Sequence, residues 1–355
     1  MRVLILSPTI LPSITGNAIT VERWRRALEN RGMTVQTLAT RDQKISLLQK
    51  AIDHFRPDLV HAHHAFHSGV RLLDISPRGR KGDFPYVVSP GGTDLYIDLE
   101  MTGRREAISR VFQSARAIIV QGPGILERLK EIPSMPGGRV FPVPKSVLWF
   151  GNDPFPLRRL AGCLPGDVLF FLPAGVRPVK GNLECLFALE RVHEARSRAR
   201  LVFAGPGVEP TYAARFAEEV RRCANFAAWI PPIPPAAMRS AYEQADVVIN
   251  ASLSKGLSNS LLEGMAAGRP LLASDIAGNR GPIRGGNGEK PAGLLFDPRD
   301  PQDFFRQALR LIDDPALRNS LGQAGRRRAE TRTTLEEEAE GLLRAYEFAL
   351  KSPGP

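Results

Sequence analysis

The segment SLSKGLSNSLLEGMAAGRP, residues 252–270, combines a small-residue loop with a single acidic side chain. If 258–267 forms a helix, Glu263 offers a carboxylate that can accept two hydrogen bonds from a diol. The preceding residues Gly256, Leu257, Ser258 and Asn259 then present backbone N–H groups at the helix N-terminus, where the dipole favours a phosphate. A second segment, AGVRPVKGN (174–182), places Arg177 and Lys180 just before a helix start. Two cations there can converge on a diphosphate and neutralise the charge of a departing group.

Three further segments carry chemistry in the first half. In TGNAITVERW (15–24), Gly16 and Asn17 follow the first strand, where a glycine lets N–H groups approach a phosphate. No G-x-G-x-x-G is present, so a nicotinamide or flavin dinucleotide is not indicated. In DLVHAHHAFHSG (58–69), His61 and His63 share a face if the strand continues. No carboxylate or thiolate spacing completes a metal site, so the expectation is no metal, with His63 at the strand end hydrogen-bonding a hydroxyl-rich ligand. In VVSPGGTDLYIDL (87–99), Gly91 and Gly92 allow close backbone approach, while Thr93 and Asp94 suit sugar binding or polarisation of an acceptor. A turn with Asp94 as a helix N-cap is the equal alternative.

The elements that must hold these residues alternate between apolar runs and amphipathic helices, as in parallel sheets covered by helices. Strands are expected at 3–7, 34–38, 59–62, 86–89, 117–120 and 140–143, with helices at 18–31, 45–55, 104–114 and 124–129. The second half repeats the alternation: strands at 168–173, 201–204, 226–230, 246–250 and 270–274, helices at 183–195, 213–223, 236–244 and 258–267. Three helices close the chain, at 301–313, 315–330 and 334–349, and Gly278-Asn279-Arg280 is read as a mobile loop. The fold class is thus α/β, with two doubly wound domains facing across a cleft. Their expected limits are 1–150, a Pro/Gly-rich linker at 151–166, 167–333, and a C-terminal helix at 334–352 that returns to the first domain.

Bulk properties narrow the partners. The 355 residues carry a net charge of +11, with basic clusters at Arg23–Arg26, Arg78–Lys81, Arg104-Arg105 and Arg326–Arg328. These are dispersed and lack interleaved aromatics, so no nucleic-acid partner is expected, while peripheral contact with an anionic membrane is compatible with them. Three scattered cysteines suit a reducing compartment. The N-terminal apolar run is too short for a signal peptide, and a cytoplasmic location is expected.

Together with FAGPG (203–207), AWIPPIP (228–234) and ASDIAGN (273–279), these segments resemble in order the retaining glycosyltransferases of family 4, which have the GT-B fold of two Rossmann-like domains. TGNAITVERWRRAL, GGTDLYIDL and VRPVKGN look most like the branch of the glycosyltransferase 1 domain-containing proteins and the bacterial selenosugar synthases. The resemblance implies a nucleoside-diphosphate sugar donor, UDP-sugar favoured, as substrate rather than cofactor, no metal, and an acceptor of unknown identity. It implies that Arg177 and Lys180 contact the diphosphate, Glu263 the ribose, the backbone around Trp229 and Ile230 the base, and Gly16 the phosphate from across the cleft. Asn17, Gly91, Gly92, Thr93, Gly205 and the 255–259 segment complete the expected donor site, and Asp94, His63, Arg177 and Lys180 the expected catalytic set. Lys255 stands where the family has the first of two glutamates, and Gly91-Gly92-Thr93-Asp94 stands where it often has a histidine. A donor-only ammonium in place of an acceptor-only carboxylate reverses what that position can bind. The implied function is a hexosyl transferase with an altered sugar pocket. The alternatives are a selenosugar or thiosugar synthase using an anionic nucleophile, and a non-catalytic sugar-nucleotide-binding protein.

Overall fold

A computed structural model describes residues 1–75, 84–132, 137–254, 256–286 and 288–352. The chain divides into two compact units: Met1–Ser146 with the residues from Thr333 onward, and Val147–Arg332. Each is built on one six-stranded parallel sheet.

The first sheet has the order β2-β1-β3-β4-β5-β6. Its strands are β1 (Arg2–Ser7), β2 (Thr34–Ala39), β3 (Leu59–His63), β4 (Tyr86–Ser89), β5 (Ala117–Val120) and β6 (Val140–Pro142). Four of these, β1, β3, β4 and β5, are buried almost throughout, and three of them read as largely apolar runs, as parallel strands covered on both faces do. Strand β3 is the exception, because it carries His61 and His63 into the buried layer. The C-terminal helix Leu335–Lys351 closes one face. It starts at a capping box between Thr334 and Glu337 and buries Leu342, Ala345, Tyr346 and Ala349, a spacing that lines one helical stripe. That stripe packs with Val3, Ile5, Val87, Ile119 and Trp24.

The second sheet has the order β12-β11-β10-β7-β8-β9. Its strands are β7 (Val168–Pro173), β8 (Ala199–Ala204), β9 (Ala227–Ile230), β10 (Val247–Asn250), β11 (Leu271–Ser274) and β12 (Gly293–Phe296). Read from β9, this is the dinucleotide-fold order 3-2-1-4-5-6, whose switch point lies between β7 and β10. The first sheet has its switch point between β1 and β3, as in the flavodoxin-type order.

Three expectations need correction. Residues 151–166 are not a free linker: they contain a short helix, Leu157–Leu160, with Leu157 fully buried, and Arg158 pairs with Asp246 at 2.7 Å. A composition rich in Pro and Gly broke the periodicity there without removing the packing. The expected loop at Gly278-Asn279-Arg280 is part of a helix, Ala277–Arg284, with Asn279 fully buried. Its Pro282 and two glycines hide the helix from propensity. Strand β12 was not anticipated, because four residues beside a Gly/Pro-rich stretch give little periodic signal.

Candidate functional site

In the second unit, the carboxyl ends of β7, β10 and β11 are lined by small polar residues. The loop after β7 makes one short turn at Pro178–Lys180, carrying Arg177 and Lys180, and reaches Gly181 with φ of 63°. Only glycine fits, since a Cβ there would collide with the Ala251 carbonyl beyond β10. Leu253 N donates to Val179 O at 3.0 Å, so the loops after the two switch-point strands are joined. Asn182 is fully buried, its Oδ1 accepting from Arg177 N at 3.2 Å.

Asn250 ends β10 and donates to Ser258 Oγ at 2.9 Å and Ser260 Oγ at 3.2 Å. Ser274 ends β11 and donates to Ser252 O at 2.5 Å, while Asn279 Nδ2 donates to Ser274 O at 3.0 Å. Among the described residues, two buried polar atoms of this shell lack partners: Nδ2 of Asn182 and Oδ1 of Asn279. Helices Asn182–Ala195 and Asn259–Ala266 both begin here; Leu183 N in the first turn of the former donates to Tyr212 Oη at 3.1 Å, while Ser258, the N-cap residue of the latter, makes no side-chain capping bond. The first turn of a helix carries N–H groups and a positive dipole end suited to an anion.

Glu263 lies four residues into the second of these helices and is half-buried. Its Oε2 accepts from Tyr242 Oη at 2.7 Å. Tyr242 is fully buried against Phe171 and Trp149. Burial, and then the adjacent Glu263 charge, pushes its phenol far above the ordinary range, so it remains a donor and orients the carboxylate. Sequence reasoning missed Tyr242, because nothing in the local pattern pairs it with a residue one helix away. On the other side of the switch point, Trp229 Nε1 donates to Gly205 O at 2.9 Å, and a Cβ at Gly205 would strike the Ala174 carbonyl. Gly205, Trp229, Ile230 and the Arg177 loop thus occupy adjoining strand ends, with Trp229 and Ile230 on edge strand β9. Gly256, Leu257, Ser258 and Asn259 lead into the Glu263 helix; Lys255 lies outside the described residues.

In the first unit, Thr15 caps helix Gly16–Glu29, with Gly16 exposed at its first position and Asn17 half-buried beside Gly91. His63 ends β3 and is 5% exposed, its Nδ1 bonded to Ser89 Oγ at 2.9 Å. Burial, and then the neighbouring His61, His64, Lys145 and Arg23, holds its imidazole well below the ordinary range, so it is neutral. Thr93 Oγ1 bonds His64 Nε2 at 2.8 Å.

Asp94 does not have the role expected of it. The helix N-cap is Gly92, with φ of 102°, and Asp94 is fully buried. Its oxygens accept from the backbone N–H groups of Ala65 (2.7 Å), Gly91 (3.1 Å), Gly92 (2.8 Å) and Leu95 (3.2 Å). A buried carboxylate with four backbone donors clamps the Gly-Gly loop to the end of β3.

His64, His67 and Asp98 bring one ligand atom each within 4.8 Å of one another. Their hydrogen bonds oppose a cation. His64 Nδ1 accepts from His67 N at 3.2 Å, which leaves the ring proton on Nε2, directed to Thr93. Asp98 is already paired with Arg104. Several members of the basic clusters are already ion-paired: Arg25 and Arg26 with Glu22, Arg23 with Glu338 and Arg328 with Glu289. Residues Arg78–Lys81 lie outside the described residues.

Residues 166–314 match the family model described as glycosyl transferases group 1. The matched segment lies within the second unit. Over 337 residues the chain is 24% identical to glycosyltransferase 1 domain-containing protein 1 of Xenopus tropicalis, covering 90% of each. It spans about half or less of the length of several further curated glycosyltransferases that it matches at 27–33% identity. Among solved structures, sucrose-phosphate synthase from Thermosynechococcus elongatus superposes with a TM-score of 0.78 over 98% of each chain at 17% identity. Anabaena HepE in complex with UDP-glucose gives 0.77 over 98% of this chain and 99% of that one, at 12% identity. The architecture is the GT-B fold, with two Rossmann-like domains. No described helix is long and apolar enough to cross a membrane.

Proposed function

We propose that this protein is a retaining, metal-independent glycosyltransferase that moves a sugar from a nucleoside-diphosphate sugar, UDP-sugar favoured, to a hydroxyl acceptor. The observation that carries the reading is the polar shell at the β7/β10 switch point, inside the segment matching the glycosyl transferases group 1 model. Two helix N-termini begin there, and among the described residues Nδ2 of Asn182 and Oδ1 of Asn279 have no partner, an arrangement with acceptor and donor capacity left for a ligand. Arg177 and Lys180 bind the diphosphate and stabilise its charge as the sugar leaves. Glu263, held by Tyr242, accepts from the ribose hydroxyls. The base sits by Trp229 and Ile230, with Gly205 allowing close approach. The solved complex of HepE with UDP-glucose supports the choice of UDP. His63 remains in the proposed reacting set, whereas Asp94 is assigned to the scaffold.

A thermal-shift screen against UDP-, GDP- and ADP-sugars tests this, because a ligand that binds the native state raises its melting temperature. A rise with one sugar nucleotide that disappears in Glu263→Ala is expected. A protein whose melting point no sugar nucleotide moves would refute the reading.

A further inference from the structure

Four buried side chains of the first unit form one continuous hydrogen-bonded line. Tyr346 Oη lies 2.8 Å from His61 Nδ1, His61 Nε2 lies 2.8 Å from Ser89 Oγ, and Ser89 Oγ lies 2.9 Å from His63 Nδ1. The two histidines alternate along β3, Ser89 is the register partner of His63 on β4, and Tyr346 comes from the C-terminal helix. Trp24 stacks on His61 at 4.9 Å and meets His63 edge-on at 5.0 Å, which fixes both rings. Tyr346, His61 and Ser89 are 0–2% exposed.

Each link has one hydrogen, so the line has two complete orientations. In one, Tyr346 donates to His61, His61 Nε2–H donates to Ser89, and Ser89 O–H donates to His63 Nδ1. The proton of His63 then sits on Nε2. In the other, every hydrogen is reversed and His63 Nε2 is bare. The reversed line leaves the Tyr346 hydroxyl hydrogen with no partner among the described residues, inside an apolar packing layer. A buried unpaired donor is penalised, whereas the first orientation strands none.

We infer that Tyr346 is a positioning residue for His63: acting through His61 and Ser89, it holds His63 in the Nε2–H tautomer, so that the strand end presents a hydrogen-bond donor and not a base. That inference stands on the geometry of the first unit. That the N–H meets an oxygen of a hydroxyl-rich substrate rests on the glycosyltransferase reading.

Two-bond proton–nitrogen NMR of the histidine-labelled full chain, without ligand, reads the tautomers directly, and therefore can fail independently of sugar-nucleotide binding. In the native protein both His61 and His63 are expected as Nε2–H. Tyr346→Phe, which preserves the ring packing, removes the hydroxyl hydrogen whose stranding penalises the reversed line, so the Nε2–H preference of both rings should narrow and the share of Nδ1–H rise. Ser89→Ala should release His63 alone and leave His61 as Nε2–H, a difference that loss of packing would not produce. An Nδ1–H signal from native His63, or an Nε2–H preference at His63 that strengthens in Tyr346→Phe, would overturn the assignment.

Discussion

The two units share a six-stranded parallel sheet but use polar side chains oppositely. In the first, polar groups are consumed by the protein itself. Glu338 is fully buried and accepts from Arg23, Trp24, Gln121 and both the backbone and hydroxyl of Ser146. Asp94 is likewise saturated, and His61 is bonded at both ring nitrogens. In the second, Asn182 after β7 and Asn279 after β11 each keep one amide atom without a partner among the described residues. The lesson is that a buried polar cluster in this fold serves either as mortar or as receptor. Which it is can be judged from whether its hydrogen-bonding capacity is already spent.

The largest break in that contrast should come from Glu338→Ala. Removing one partner of a buried ion pair leaves Arg23 uncompensated, which typically costs about 3–5 kcal/mol. Hydrogen exchange should report the loss in the first unit, from the C-terminal helix and β1 to β6, with β7 to β12 unchanged. Equal loss in both units would contradict the assignment of Glu338 to the first unit alone.

Acid should separate the units next. Burial pushes the His61 imidazole down from 6.5 to about 3. A neutral folded imidazole is at a disadvantage once the unfolded chain can take up a proton, so stability is lost as pH falls below 6.5, down to about 3. Burial alone would raise the Glu338 carboxyl, but Arg23 and the bonds from Ser146 and Gln121 lower it from 4.5 to about 2. Its contribution is fully present above 4.5 and lost as pH falls toward 2. In the second unit the lowered acids, such as Glu190 and Asp313, are surface carboxylates paired with arginines, whose influence begins only below the ordinary carboxylate range. Melting followed by unit-resolved exchange between pH 6.5 and 4.5 should therefore weaken the first unit selectively.

Two smaller substitutions sharpen the receptor side. Gly181→Ala forces a side chain into left-handed backbone facing the Ala251 carbonyl, which should cost about 1–3 kcal/mol and abolish sugar-nucleotide binding. Its denaturation midpoint and ligand shift should fall together. Tyr242→Phe should cost only about 1 kcal/mol in stability. Calorimetry should show sugar-nucleotide affinity down about tenfold, equivalent to about 1.4 kcal/mol. Unchanged affinity would mean that Glu263 needs no orienting hydroxyl.

Much of the scaffold was legible because buried parallel strands are short apolar runs and their covering helices are amphipathic. Tyr86–Ser89, Ala117–Val120 and Val168–Pro173 appear at the expected limits. Of the glycines that meet a backbone, Gly205 entered the expected donor site through the resemblance, whereas Gly181 was not singled out. The helix Ala277–Arg284 and strand β12 were hidden by Gly and Pro, whose low propensity is outweighed here by packing. The burial of Asp94 was hidden for a different reason: a Thr-Asp pair after two glycines looks alike whether it faces solvent or turns inward.

The sequence by itself determined the α/β alternation, the two-part organisation and the chemistry available at Arg177, Lys180 and Glu263, since periodicity and residue type are local properties. Tertiary structure decided which polar groups remain available. Glu338 lies 315 residues from Arg23, Tyr346 lies 285 from His61, and Tyr242 lies on a different helix from Glu263. Only folding brings such groups within hydrogen-bonding distance, and that distance separates a residue that binds a ligand from one already bound by its own protein.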